Sequence, residues 1–463
     1  LLFRSAGAAL SSDYVFRPQS PGVTLGIGSN TITLAPCPLG VNGTDANHYL
    51  YFSAGTGSAE AALITGGTCT SGASSGTVIV AIANNHSGAW TVQSASDGIR
   101  EALSAGIDSA GRGSVRVTGG LHTIHGTLYV PPNHSFHLQV DGELLFPDLG
   151  SPDGIWIDSS RASTFDFNAQ VNYAGAGNAV KFYGLGPDPQ DAINQIDGCQ
   201  FHFTNVQGIT NEWTSPAAVR IFYFLSASNH IGYGNYSHNI VTAASLLGGQ
   251  YLLVTEGSAT SGGWGLSQEN TFTITQMVGF TQIGLLSGYN PAGFVNANNN
   301  TFNVNVIWPG DVTSGAVCLA IEEGSNANTF NVNNVSCTGQ TAIRISNPVA
   351  SCVVNVASYQ GTAVDNNAYS NGNYLNAPAR QQFYPVTVGA SPFMYVNRDL
   401  QDEFITWGGG SGVSVAMTFA PGATGGIGLN MPSGIIPVPN DATVTFTYTT
   451  PPTIFKISKA LNY

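Results

Sequence analysis

The chain reads as all-β, organised around a parallel β-solenoid, and three observations predict this. A phrase recurs as Asn270-Thr-Phe-Thr-Ile-Thr, Asn300-Thr-Phe-Asn-Val-Asn and Asn328-Thr-Phe-Asn-Val-Asn, at intervals of 30 and 28 residues. A recurrence of that period is one supersecondary unit stacked on copies of itself, since a single copy cannot bury its own apolar face. Within the copies, Phe272, Phe302 and Phe330 are followed two residues later by Ile274, Val304 and Val332. That is the alternation of a strand with one buried side. Thirdly, only 8% of residues are charged, against about 25% in ordinary globular proteins. Uncharged polar side chains suit turns and stacked ladders, where like charges one coil apart would repel. The Asn opening each unit suits a tight bend, because Asn tolerates left-handed dihedrals and bonds nearby backbone. Stacked coil on coil, such amides can also bond one another.

Along the chain, residues 1–25 have little periodicity and several punctuators (Pro18, Pro21, Gly22), as in an arm. Residues 26–95 hold five short strand patterns between Gly/Ser turns, which predicts a small N-terminal β-domain. Residues 96–113 carry the one helical pattern, from Asp97 to about Ser109. Ser96 or Asp97 caps it, Ile99, Leu103 and Ile107 share a face, and Gly111 and Gly113 end it. Strand-turn units then fill 114–378, with loops leaving the wall near 184–197 and 257–267. Residues 379–463 alternate around a Gly408-Gly-Gly-Ser-Gly turn and predict a C-terminal β-sandwich-like domain.

Charge excludes several partners. The 26 acidic residues outnumber 13 basic ones, a net of −13, and only Lys181, Lys456 and Lys459 are lysines. No basic run exists to engage nucleic acid or an anionic membrane, and no 18-residue apolar run exists to insert into one. The chain opens on Leu1 without Met, as expected of a processed or truncated product, so a missing signal segment says nothing about secretion. Cys37 and Cys69 share the small N-terminal segment and can form a disulfide. Cys318, Cys337 and Cys352 read as coil positions, and without a CxxC pair no structural zinc is expected. Few lysines, many amides and hydroxyls and a disulfide favour an extracellular or virion-surface location.

The series from 97 to 146 carries a resemblance. A helix, a Gly119-Gly120 turn, short strands and the Pro131-Pro132 pair look like the start of the right-handed parallel β-helix in the pectate-lyase-like superfamily. That group includes pectin-degrading enzymes and phage tailspikes, and in it an amphipathic helix plugs the solenoid end. The final β-region resembles the small C-terminal domains of trimeric tail-fibre and tailspike proteins. The resemblance implies a homotrimer or higher homo-oligomer and a polysaccharide or cell-surface glycan as partner.

Family chemistry is not carried over. The Asn-Thr-Asp, Asp-Asp, Gly-His-Gly and Arg-Ile-Lys motifs of the hydrolytic pectinases are missing, and Arg344-Ile345-Ser346 lacks the lysine. A lyase needs cations to neutralise a uronate and a basic residue to abstract its proton, and this chain is poorly supplied with both. No Gly-x-Ser-x-Gly elbow, P-loop or His-Glu-x-x-His motif implies another chemistry or cofactor.

Carboxylates remain. Glu256 precedes the first repeat and Glu323 the third, with one coil between them. Two coil steps of about 4.8 Å separate their backbones by roughly 10 Å, at the upper edge of the about 6.5–9.5 Å that inverting glycoside hydrolysis requires. Glu269 and Glu322 are near enough in sequence to substitute. The other reading makes these acids solvated turn residues that recur because the repeat recurs. Asp141, Asp148, Asp153 and Asp158 read as turn formers, or as a second carboxylate or calcium site. Tyr233, Tyr236, His238, Trp264 and Trp308 lie in or near loops where a sugar could stack or hydrogen-bond; as aromatic ladders they would be ordinary core. The functional expectation is a surface β-helix that binds polysaccharide and hydrolyses it if the carboxylates pair. The alternatives are a non-enzymatic subunit of a filament or sheath, and a monomeric carbohydrate-active enzyme.

Overall fold

The computed structural model describes residues 9–10, 19–38, 41, 47–147, 153–185, 195–208, 218–226, 236–257, 267–289, 297–310, 315–322, 324–346, 349, 351–365, 373–376, 383–398, 402–419, 426–431, 433–439 and 441–458. Its centre is a parallel β-helix. Each coil passes through three walls, and each wall is a parallel sheet running along the solenoid. The first wall includes Phe136–Phe146, Thr164–Tyr173, Gln200–Gly208 and Thr301–Trp308. The second includes Leu128–Val130, Asp153–Ile157, Asn178–Phe182, Arg220–Ser226 and Val317–Ile321. Strands such as Ile240–Gly257 and Thr271–Tyr289 bend to serve both. The third wall is narrow, with two-residue strands from Asn133–His134 to Ser325–Asn326.

In-register parallel pairing sets equivalent residues above one another. Phe272, Phe302 and Phe330 form one buried column, with ring centroids 4.7 and 4.8 Å apart and planes within 5° and 2° of parallel. Upstream, Phe165 stacks on Phe201 and Phe167 on Phe203 at 4.9 and 4.6 Å. These separations match the inter-strand spacing of a sheet, so each ring packs face-on without disturbing the ladder.

Beside the rings runs a buried asparagine ladder. The backbone N–H and Nδ2 of Asn270 both donate to Oδ1 of Asn300, at 3.0 and 2.9 Å. Asn300 donates likewise to Asn328, and Asn239 to Asn270. The expectation that the Asn itself takes the left-handed bend is corrected. The preceding residue does so: His238, Glu269, Asn299 and Ala327 have φ between 52° and 56°. Cys352 stands one coil beyond Asn328 as a buried thiol, and burial pushes it up to about 11. Cys318 and Cys337 are more than coil positions, since they are disulfide-bonded, as are Cys37 and Cys69.

The helix spans Ile99–Gly106, shorter than predicted. Asp97 and Gly98 are left-handed (φ 50° and 79°), which delays its start, and Ile107 is already extended. The Ser96 hydroxyl accepts the N–H of Arg100. Ile99, Ala102 and Leu103 join the solenoid core, so the helix plugs its end. Its far side buries Glu101, which takes hydrogen bonds from His48 at 2.9 Å and Ser96 at 2.8 Å. Burial alone would raise that carboxyl; the bonds from His48, Ser94 and Ser96 and the charge of His48 outweigh it and hold the pKa low.

Before the helix, Gly28–Leu34, Tyr49–Thr56, Glu60–Gly67, Gly76–Ile82 and Ser87–Ser94 form an antiparallel sheet with its own core around Phe52 and Trp90. Two antiparallel sheets follow the solenoid, one containing Glu403–Gly408 and Thr453–Ser458, the other Ser414–Thr418 and Thr443–Thr447. They share a core of Ile405, Trp407, Val415 and Phe446, a β-sandwich. Among the described residues no helix is long and apolar enough to cross a membrane.

Candidate functional site

Glu256 ends the second-wall part of its strand, where its backbone pairs with Tyr289 of the next coil. One coil further, the N–H of Glu322 bonds the carbonyl of Ser287. Glu256 and Glu322 therefore lie along the same edge of the second wall with one coil between them. Glu256 Oε2 accepts the Tyr223 hydroxyl at 2.9 Å and lies 3.6 Å from Arg220 Nη2. Glu322 Oε1 accepts Arg344 Nη2 at 2.6 Å and Nε at 3.1 Å. Glu323, Tyr233 and Trp264 lie outside the described residues.

The other predicted residues separate. Glu269 sits at the turn from the third wall to the first, not on the edge that carries Glu256. There His238 bridges two carboxylates, with Nδ1 2.8 Å from Asp197 and Nε2 2.9 Å from Glu269. The Asp197 hydrogen bond, then the charges of Asp197 and Glu269, raise the pKa of His238. Glu269 therefore cannot stand in for Glu256. Tyr236 is not a surface platform: it is 3% exposed, its ring 4.7 Å from Phe224 and 6.5 Å from Phe272. A third-wall side chain that faces inward meets the core however polar its sequence neighbours are. Trp308 is exposed at the end of a first-wall strand. Asp148 lies outside the described residues, and the remaining aspartates of that group disperse. Asp141 on the first wall pairs with Arg116, Asp153 on the second with Lys181, and Asp158 accepts the Tyr129 hydroxyl.

Sequence reasoning missed a band on the outer side of the second wall. Residues alternate in and out along these strands, and Tyr129, Trp156, Lys181 and Tyr223 stack in register on the outward side. Trp156 meets Tyr129 edge-on at 5.1 Å and stacks with Tyr183 at 5.9 Å, its indole N–H donating to the Tyr183 carbonyl. Lys181 Nζ lies 4.9 Å from the Trp156 ring centre, 5.0 Å from that of Tyr183 and 3.3 Å from Asp153. Arg220 covers the Tyr223 ring at 4.2 Å. Asn178 links the two ion pairs, donating to Asp153 at 2.6 Å and accepting from Arg220 at 3.5 Å. Burial first, then the charge of Glu256, drives the Tyr223 phenol far above its usual range, so it stays a neutral donor. Burial and Asp158 raise Tyr183 as well. Further along, Val254, Ile283, Leu286, Val317 and Ala320 form a separate apolar cluster with Tyr223 at its edge.

No protein-family model matches the sequence, and no curated protein matches it. Among solved structures the chain is similar to the Dettilon tailspike protein, at 12% identity and TM-score 0.25, covering 78% of this chain and 90% of that one. It is similar to a mutant tailspike of E. coli bacteriophage HK620 in complex with a pentasaccharide, at 11% identity and TM-score 0.21, covering 78% and 89%. It is also similar to tailspike protein 4 of bacteriophage CBA120, at 10% identity and TM-score 0.20, covering 99% and 77%. Likeness of this degree assigns neither site nor substrate.

The chemistry of the band rests on its own residues. The half-buried rings of Trp156 and Tyr183 supply apolar surface. The Lys181–Asp153 and Arg220–Glu256 pairs set donors and acceptors beside that surface, with side chains 9–26% exposed. Apolar surface with a few fixed polar groups is the general composition of a ligand site.

Proposed function

We propose that the protein is a surface β-helix that binds polysaccharide along the outer side of its second wall. One observation supports this above the rest: the half-buried Trp156 and Tyr183 rings lie beside partly buried ion pairs on a wall that is long in one direction. A pyranose offers apolar C–H faces to such rings and hydroxyls to such charges, and an extended polymer suits an extended wall. Two disulfides favour an oxidising, extracellular or virion-surface setting. The terminal β-regions are the elements through which a homotrimer would associate, and sedimentation showing only monomer would remove that part.

Cleavage, in this reading, belongs to Glu256 and Glu322, one as acid to the leaving oxygen and the other as base to a water. Both carboxylates are engaged by arginine, so substrate must take over one of those contacts before a proton can move. A non-enzymatic scaffold is the second reading, favoured by the regular Asn ladders on the outer first wall.

The test is binding of surface polysaccharides followed by tryptophan fluorescence. Trp156→Ala is expected to weaken binding roughly tenfold, about 1.4 kcal/mol, with the circular dichroism spectrum unchanged. Unaltered binding would remove the site. New reducing ends that vanish in both Glu256→Gln and Glu322→Gln would support hydrolysis; turnover surviving both would refute that assignment.

A further inference from the structure

The solenoid holds few cations, and each one is already matched. Between residues 114 and 378 the basic side chains are Arg116, Arg161, Lys181, Arg220 and Arg344, against sixteen carboxylates. Arg116 lies 3.0 Å from Asp141, Arg161 3.8 Å from Asp197, and Lys181 3.3 Å from Asp153. Arg220 lies 3.6 Å from Glu256 and Arg344 2.6 Å from Glu322. In every case the carboxylate comes from the adjacent coil. The two cations of the aromatic band are held a second time, Lys181 between Trp156 and Tyr183, and Arg220 over Tyr223.

We propose, on the footing that the second-wall band is a glycan site, that its ligand is an uncharged polysaccharide and that polymers of uronate or sialate are rejected. A sugar carboxylate would have to displace Asp153 or Glu256 from its cation and leave that acid's charge uncompensated in a partly buried position, with only the neutral donors Asn178 and Tyr223 beside it, which is costly. It would also approach a solenoid with eleven more negative than positive side chains, a field that repels anions at low ionic strength. A neutral diol meets no such barrier. Its hydroxyls both donate and accept, and an ammonium beside a carboxylate, or a guanidinium beside one, offers the complementary donor and acceptor.

An array of neutral and anionic bacterial surface polysaccharides, probed with the native protein and with Trp156→Ala at low and physiological ionic strength, tests this. The expected result is retention on neutral polymers only, weakened roughly tenfold in Trp156→Ala, and changing less than about twofold with salt because no ion pair to the ligand is screened. Retention of a uronate or sialate polymer that depends on Trp156 and weakens with salt would overturn the inference while leaving the glycan site in place. Absence of any Trp156-dependent retention would overturn the site and the inference together.

Discussion

The outer first wall of the later coils and the outer second wall of the earlier coils share one backbone geometry, yet they differ in kind. On the first wall, Asn303, Asn331, Asn355 and Asn376 form one ladder of amides across successive coils, and Asn305 and Asn333 form another. Like stacks on like in those later coils and the product is a repetitive amide surface, whereas the earlier first wall carries the Arg116–Asp141 and His137–Asp166 pairs. On the second wall, Tyr129, Trp156, Lys181 and Tyr223 stack in register although no two neighbours are alike. Unlike neighbours at the strand spacing make cation–aromatic contacts and ion pairs instead of ladders. One backbone geometry thus gives a scaffold where its residues repeat and a candidate site where they do not.

The largest expected effect separates the shared core from both surfaces. Phe302→Ala empties the middle of the ring column and should cost about 3–5 kcal/mol, read as a lowered denaturant midpoint. A loss below about 1 kcal/mol would mean the column does not hold the coils. Next comes the contrast between ladders. Asn300→Ala removes the acceptor for two donors of Asn270 and should cost about 1–3 kcal/mol, whereas Asn331→Ala on the outer first wall should stay within about 0.5 kcal/mol. Asn331→Ala should also leave glycan binding unchanged, in contrast to Trp156→Ala; equal losses would erase the distinction between the walls.

The smallest effect concerns pH. His238 has a raised folded pKa, so its pairs with Asp197 and Glu269 contribute fully below the unfolded value near 6.5 and are lost as pH rises through the folded value. More than half of its side chain is solvent-exposed, so screening keeps the contribution small. Thermal scans from pH 6 to pH 9 should show a slight decline that His238→Gln removes. A decline unchanged in that variant would place its origin elsewhere.

Particular residues show where sequence reading works on a solenoid. The Asn-Thr-Phe repeats were legible because their coils are 30 and 28 residues long and their apolar positions alternate strictly. The plug helix was legible from Ile99 and Leu103, although Asp97 and Gly98 begin it later than their composition suggests. Tyr236 was misread because polarity of the surrounding segment says nothing about which way one side chain points on a two-residue strand.

The amino-acid order alone determined the strand alternation, the coil repeat, the plug and the excess of negative charge, all of which are local or additive properties. Only the tertiary structure decided the aromatic band, the Cys318–Cys337 bond and the matching of every solenoid cation to an acid. Successive outward positions from Tyr129 to Trp156, Lys181 and Tyr223 are 27, 25 and 42 residues apart. Connections of unequal length carry no register of their own, and register is set where backbone hydrogen bonds lock one coil onto the next.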